Sequence, residues 1–163
     1  MQDEVQTDVL LQEAFKANKN CFIPRYYTPG NTMDMVLLKD MNDYHNLPLT
    51  KWKIKQPAID EVRQEALDLG CLDLILVPGM AFTTQGRRLG RGRGYYDTYL
   101  SKAFERGLNP TTVALAFTEQ ILKEIPTDEH DVLINKVIFK LSFTQIHIQL
   151  YCVHILLTTR AVN

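Results

Sequence analysis

Cysteine is scarce in this 163-residue chain, and its three copies, Cys21, Cys71 and Cys152, are odd in number and far apart. With no C-x-x-C pair, neither a disulfide framework nor a thiolate zinc site is expected, and a reduced, cytoplasmic setting follows. Net charge is nearly absent too. Eighteen basic and nineteen acidic side chains leave −1 at pH 7, so no global field draws the molecule onto nucleic acid or an acidic membrane. Any anion site must be local. No run reaches the ~18 uninterrupted apolar residues of a membrane span, and acids at Asp3 and Glu4 stand where a secretory signal carries bases. Both common nucleotide loops, G-x-x-x-x-G-K-[ST] and G-x-G-x-x-G, are missing as well.

What is present is a 45% apolar composition, enough to build the core of one domain. Helix and strand signals alternate. A helix is expected from Thr7 to Ala17, with Leu10, Ala14 and Ala17 on its apolar face. Cys21-Phe22-Ile23 reads as a strand stopped at Pro24, and Met33 to Leu38 as a second. Residues 39 to 60 look irregular, with Pro48 and Pro57 bracketing the single tryptophan, Trp52. A helix from Glu61 to Leu69, stopped by Gly70, precedes the apolar strand Leu72 to Val77. Tyr95 to Phe104 is amphipathic at helical spacing, and Val113 to Phe117 is another buried strand, with Thr118 opening a short helix. Such alternation predicts an α/β sandwich. After Lys140 the composition changes: Arg160 is the only formally charged side chain left. Val137, Phe139, Leu141 and Phe143 alternate, and Ile146, Ile148, Leu150 and Cys152 alternate in the opposite phase, which reads as two more strands. Gln145, His147, Gln149 and His154 interrupt this tail and argue against a membrane span.

Chemistry concentrates between Gly86 and Asp97. Four arginines and four glycines fall within the nine residues Gly86 to Gly94, directly after the most apolar strand and directly before a helix. Ligands of open α/β sheets collect beyond the carboxyl ends of strands, and a helix N-terminus offers N–H groups and partial positive charge. Glycine lets the backbone approach an anion, and arginine supplies forked donors that match phosphate oxygens. The expectation is a polyphosphate cradle. A flexible RGR tract for RNA is the rival from another class, but such tracts usually lie in polar disordered regions. Asp97, in the first helical turn, either complements the macrodipole or is a hard oxygen ligand for Mg²⁺. A second carboxylate is available in Asp128-Glu129-His130-Asp131. The four histidines show no metal-ligand spacing.

LDLILVPGMAFTTQGRRLGRGRGYYDTYL resembles the signature of the 5-formyltetrahydrofolate cyclo-ligase (methenyltetrahydrofolate synthetase) family. Supporting matches are MQDEV, CFIPRY, MDMV, the Trp52 loop, RQEAL and ALAFTEQI, so the similarity covers about residues 1 to 138. The resemblance implies a three-layer α/β sandwich with a mostly parallel sheet. It further implies ATP- and Mg²⁺-dependent conversion of 5-formyltetrahydrofolate to 5,10-methenyltetrahydrofolate, in a cytoplasmic monomer acting on small molecules, without nucleic acid or membrane partners. By the same resemblance, ATP falls on Arg88, Leu89, Gly90, Arg91, Gly92, Arg93, Gly94, Tyr95 and Tyr96, with Arg91, Arg93 and Tyr95 catalytic. The metal falls on Asp97 and Asp131. Folate falls on Glu4, Tyr26, Met33, Trp52, Arg91 and Tyr95.

Two departures from the family are expected. The family's basic helix and first strand, which precede the matched segment and bring a lysine and an arginine to ATP, are missing here. A neighbouring strand's backbone is thereby left open to aggregation or replacement pairing. From about residue 140 the tail is unrelated, which divides the chain into a ligase domain (1–139) and a divergent tail (140–163). A truncated form that is weakly active, or that only binds folate or nucleotide, is the alternative reading.

Overall fold

The computed structural model describes residues 7–52, 54–70, 72–141 and 156–158. In chain order the elements are α1 (Asp8–Lys16), β1 (Asn20–Tyr26), β2 (Met33–Leu38), α2 (Met41–Asn46), α3 (Ala66–Leu69), β3 (Leu74–Leu76) and β4 (Ala81–Phe82). There follow β5 (Arg88–Leu89), α4 (Tyr95–Glu105), β6 (Thr111–Phe117), a 3₁₀ turn over Thr118–Gln120, β7 (Lys136–Leu141) and β8 (Leu156–Thr158). Glu4 and the strand expected around residues 146–152 lie outside the described residues.

Six strands form the central sheet in the order β2-β1-β8-β3-β6-β7. β3, β6 and β7 pair in parallel, and β8 is antiparallel to both β1 and β3. β1 therefore runs the same way as β3, and four of the six strands share one direction. β1 explains the layering. Alternate side chains of a strand point to opposite faces, and β1 buries both. Phe22 joins a core with Met35, Ile75, Tyr99, Leu100 and Ala103, under α3 and α4. Cys21 and Ile23 join another with Leu11, Ala14, Val36 and Tyr44, under α1 and α2. The result is a three-layer α/β sandwich. Cys21 is fully buried, and that burial pushes its thiol up to about 12.

Several local expectations are corrected. α1 buries Leu11 and Ala14, while Leu10 is 45% exposed. β1 does not stop at Pro24, because that residue sits where no donor is needed. The N–H of Met35, its partner, points away from β1 to Glu65 Oε1 at 3.2 Å. The Pro24–Met35 pair is thus of the non-hydrogen-bonded kind, so the proline nitrogen faces the β8 side, where pairing ends at Phe22. The segment from 61 to 65 is extended and not helical. It lies along β2, with Leu37 N–H bonded to the Gln64 carbonyl. Arg63 there forks onto Asp43 at 2.7 Å on both arms, holding that carboxyl below the usual range. α2 appears inside the stretch expected to be irregular, capped by Asp40 accepting the Asp43 N–H at 2.7 Å. β7 runs across the 139/140 boundary, and residues 156–158 belong to the same sheet.

Glu65 gathers the layer above the sheet. Its Oε1 accepts from Met35 N–H and Tyr99 O–H, and its Oε2 from the Leu67 and Asp68 amides. Burial nonetheless raises its carboxyl. A folded-state value above the unfolded one adds stability at acid pH that is lost as pH rises through the raised value. Glu65→Gln presents an NH₂ to donors, and it should destabilise by about 1–3 kcal/mol. The deficit should narrow between pH 4.5 and 8, as read by urea denaturation at both.

Candidate active site

Because β1, β3 and β6 share a direction, Tyr26, Val77 and Phe117 all lie at the carboxyl edge of the sheet, where α/β folds place ligands. From β3 the chain passes Pro78 and Gly79 into the β4–β5 hairpin, paired Ala81 to Leu89 and Phe82 to Arg88. This hairpin had no sequence signal beyond alternating glycines. Gln120 fastens it to the end of β6, accepting the Phe117 N–H at 2.9 Å and donating to the Gly79 carbonyl at 3.1 Å. At its tip Gly86 has φ +89°, and its carbonyl accepts the Ile134 N–H at 2.8 Å. A Cβ there would lie 2.2 Å from the Ile134 oxygen, so glycine is required by close approach.

Beneath the hairpin Arg88 is buried. Its Nη2 donates to Asp97 Oδ2 at 2.5 Å and its Nη1 to the Pro78 carbonyl at 3.3 Å. Asp97 Oδ1 accepts the Val132 N–H at 3.2 Å. One carboxylate thus ties the hairpin, the first turn of α4 and the loop that carries Asp131. Arg88, expected among the phosphate ligands, is placed here with its guanidinium on Asp97 and the Pro78 carbonyl. Gly90 has a new reason as well: a Cβ at that position would lie 2.8 Å from Arg88 Nη1. Tyr96 belongs to the core at 5% exposure.

Arg91 and Arg93 stand exposed on the turn between β5 and α4. Gly92 and Gly94 shape this turn with φ +73° and +65°, and Gly94 caps α4. Leu89, next to it, is 39% exposed. Asp131 is exposed, with its Oδ2 accepting the Asp128 N–H at 2.9 Å. Among the described residues no group of three or more His, Cys, Asp or Glu side chains is placed to hold a metal. The two-carboxylate set still fits Mg²⁺, which takes one or two protein carboxylates with phosphate oxygens and water. Oδ2 of Asp97 accepts from Arg88 and Oδ1 from the Val132 N–H, and each oxygen has a further lone pair with which to meet a cation.

Beside this turn is an aromatic group. Tyr95 is the first residue of α4, and its ring meets Tyr26 edge-on at 4.9 Å between centroids. Its hydroxyl donates to the Tyr27 carbonyl at 3.4 Å. Met33 is the strand partner of Tyr26 and is 3% exposed. Asn31 Nδ2 adds a bond to Thr98 Oγ1 at 3.1 Å. Trp52 is 58% exposed on a turn of a loop that Gln56 joins to β1, accepting the Tyr26 N–H at 3.0 Å and donating to its carbonyl at 3.3 Å. The structure therefore brings Tyr26, Met33 and Tyr95 together, and Asp97 next to the Asp131 loop. Glu65, Gln56 and Asn31 escaped sequence reasoning because each works through a partner at least 30 residues away.

Asp97→Asn is expected to cost about 3 kcal/mol, because it leaves the buried Arg88 charge without its counter-ion. Replacing Arg88 by Met in the same chain should recover part of the loss. Denaturation midpoints of the two single variants and the double variant test this coupling.

The site can be set beside known proteins. The sequence pattern of the 5-formyltetrahydrofolate cyclo-ligase family matches residues 1–140. A 5-formyltetrahydrofolate cyclo-ligase of Mus musculus is 50% identical over 141 residues, which are 86% of this chain and 70% of that protein. A probable 5-formyltetrahydrofolate cyclo-ligase of Caenorhabditis elegans is 41% identical over 140 residues, 84% and 68% of the two chains. The NMR structure of Aquifex aeolicus 5,10-methenyltetrahydrofolate synthetase shares the fold with a TM-score of 0.60. That likeness covers 91% of this chain and 70% of the other at 24% identity. With the family pattern running through the hairpin, the arginine turn and both aspartates, the chain belongs to the 5-formyltetrahydrofolate cyclo-ligase family of ligase enzymes.

Proposed function

We propose that this chain converts 5-formyltetrahydrofolate to 5,10-methenyltetrahydrofolate with ATP and Mg²⁺, releasing ADP and phosphate. Tyr95 is the observation that carries the reading. It opens the helix at the exposed Arg91–Arg93 turn, and its ring also closes on Tyr26. A phosphate held at the turn and a planar ring held at the tyrosines would meet at this one residue.

The formyl oxygen attacks the γ-phosphorus, the bond to the β-phosphate oxygen breaks, and ADP leaves. The neighbouring nitrogen, N10, then adds to the activated formyl carbon, forming the new C–N bond and losing its proton. The carbon–oxygen bond breaks and phosphate departs. Such transfer depends on in-line positioning and charge neutralisation more than on covalent help. Arg91 and Arg93 supply fixed cations to the phosphates, with backbone access at Gly90, Gly92 and Gly94. Tyr26, Met33 and Tyr95 orient the folate ring, joined in this reading by Trp52 and by Glu4. Asp97 and Asp131 would hold Mg²⁺, which when bound neutralises phosphate charge. No helix among the described residues is long and apolar enough to cross a membrane. A cytoplasmic monomer acting on small molecules, its family-matched segment ending near residue 139 and the tail adding a strand to the same sheet, completes the proposal.

The assay mixes the chain with 5-formyltetrahydrofolate, ATP and Mg²⁺ and follows methenyl absorbance. Turnover should vanish with a chelator and return with Mg²⁺. Arg91→Ala should lower kcat/KM about 10–100-fold, the worth of one charge-assisted bond of about 1.5–3 kcal/mol, with thermal unfolding unchanged. Retained turnover in that variant overturns the assignment. Ligand stabilisation without turnover would mark a binding module, and salt-steep oligonucleotide binding would mark an RNA protein.

A further inference from the structure

The strand at the centre of the sheet comes from outside the family-matched residues. β8 spans 156–158, and the family match ends at 140. β1 and β3 are its two neighbours and are paired with it, not with each other. Strand spacing is about 4.8 Å, so removing β8 leaves a gap of two spacings that no backbone bond spans. The sheet would then divide into β2-β1 on one side and β3-β6-β7 on the other.

This division cuts through the candidate site. Tyr26 and Met33 lie on the β2-β1 side, whereas the hairpin, the arginine turn and Asp97 attach to β3 and β6. The contacts that cross, Tyr26 with Tyr95, Asn31 with Thr98 and Glu65 with Tyr99, each depend on the spacing that β8 sets.

The slot on β1 is also matched to a short strand. Because the Pro24–Met35 pair is non-hydrogen-bonded, the even-numbered residues of β1 point their backbone nitrogens toward β8. Tyr26 donates to Gln56, and Pro24 has no N–H. Asn20 and Phe22 are the donors that remain, and these face Thr158 and Leu156 in the register. Cys21–Leu157 is then a non-hydrogen-bonded pair, and the Leu157 N–H points toward β3 at Leu74.

We propose that residues 156–158 of this chain are a sheet-completing strand that couples the folate half of the site to the nucleotide half. The coupling rests on the function proposed above. The strand assignment does not, so two experiments separate them.

The first uses Leu157→Cys in a chain whose Cys71 and Cys152 are replaced by Ser. Opposed residues of a non-hydrogen-bonded antiparallel pair have Cα atoms about 4.5 Å apart, within disulfide range. Mild oxidation should link residue 157 to Cys21 within one chain, nearly completely by peptide mass mapping. Thr158→Cys, opposite Asn20, should link less than a tenth as much. Absence of the bond, or a bond between two chains, overturns the proposal. The second is Leu157→Pro, which deletes the donor to β3. It should raise the KM for 5-formyltetrahydrofolate about tenfold and lower kcat, while affinity for a non-hydrolysable ATP analogue, read by calorimetry, changes less than threefold. Parent-like kinetics, or equal losses for both ligands, overturn the coupling. If the parent chain shows no turnover the function fails, and the cross-link still decides the strand.

Discussion

Asp97 holds two things at once, the Arg88 guanidinium and the N–H of Val132. Three segments are thereby fixed to one another: the hairpin after β3, the first turn of α4, and the loop before β7, which the Ile134 N–H also ties to the hairpin at Gly86. Everything proposed for the nucleotide rests on this clamp, since Arg91 and Arg93 stand on the turn it immobilises. A buried ion pair contributes little net stability against apolar isosteres, yet breaking one partner away is costly. Its value here is positional. The carboxylate of Asp97 is taken by Arg88, three residues before Arg91, on the buried side of the same stretch.

Much of this was legible from residues alone. The apolar run at Leu72 to Val77 and the spacing of Tyr96, Tyr99, Leu100 and Ala103 marked β3 and α4, because burial on one face or two leaves a period in the sequence. The Arg/Gly stretch marked the turn. What stayed hidden depended on distant partners. Nothing near Pro24 says that Met35 turns its N–H toward Glu65, so the proline read as a stop. Nothing near Arg63 says that Asp43 awaits it, so an extended edge segment read as a helix. Within the arginine stretch, composition could not distinguish Arg88, buried under the hairpin, from Arg91 and Arg93 on its surface.

The sheet shows the same limit on a larger scale. The alternation from Val137 marked β7, whereas residues 156–158 were not among the expected strands. That a short piece of the tail lies between β1 and β3, antiparallel to both, is a matter of which donors β1 has left once Gln56 has taken one end and Pro24 has removed another. Backbone accounting, more than side-chain preference, sets the length of β8.

Cys21 sits on β1 beside that slot, fully buried, with its thiol pushed up to about 12. A sulfhydryl so shielded is nearly inert toward alkylating reagents while the molecule is closed, since the thiolate is the nucleophile. Its labelling rate would therefore count the moments when the middle of the molecule breathes, giving the protein an internal clock for its own opening.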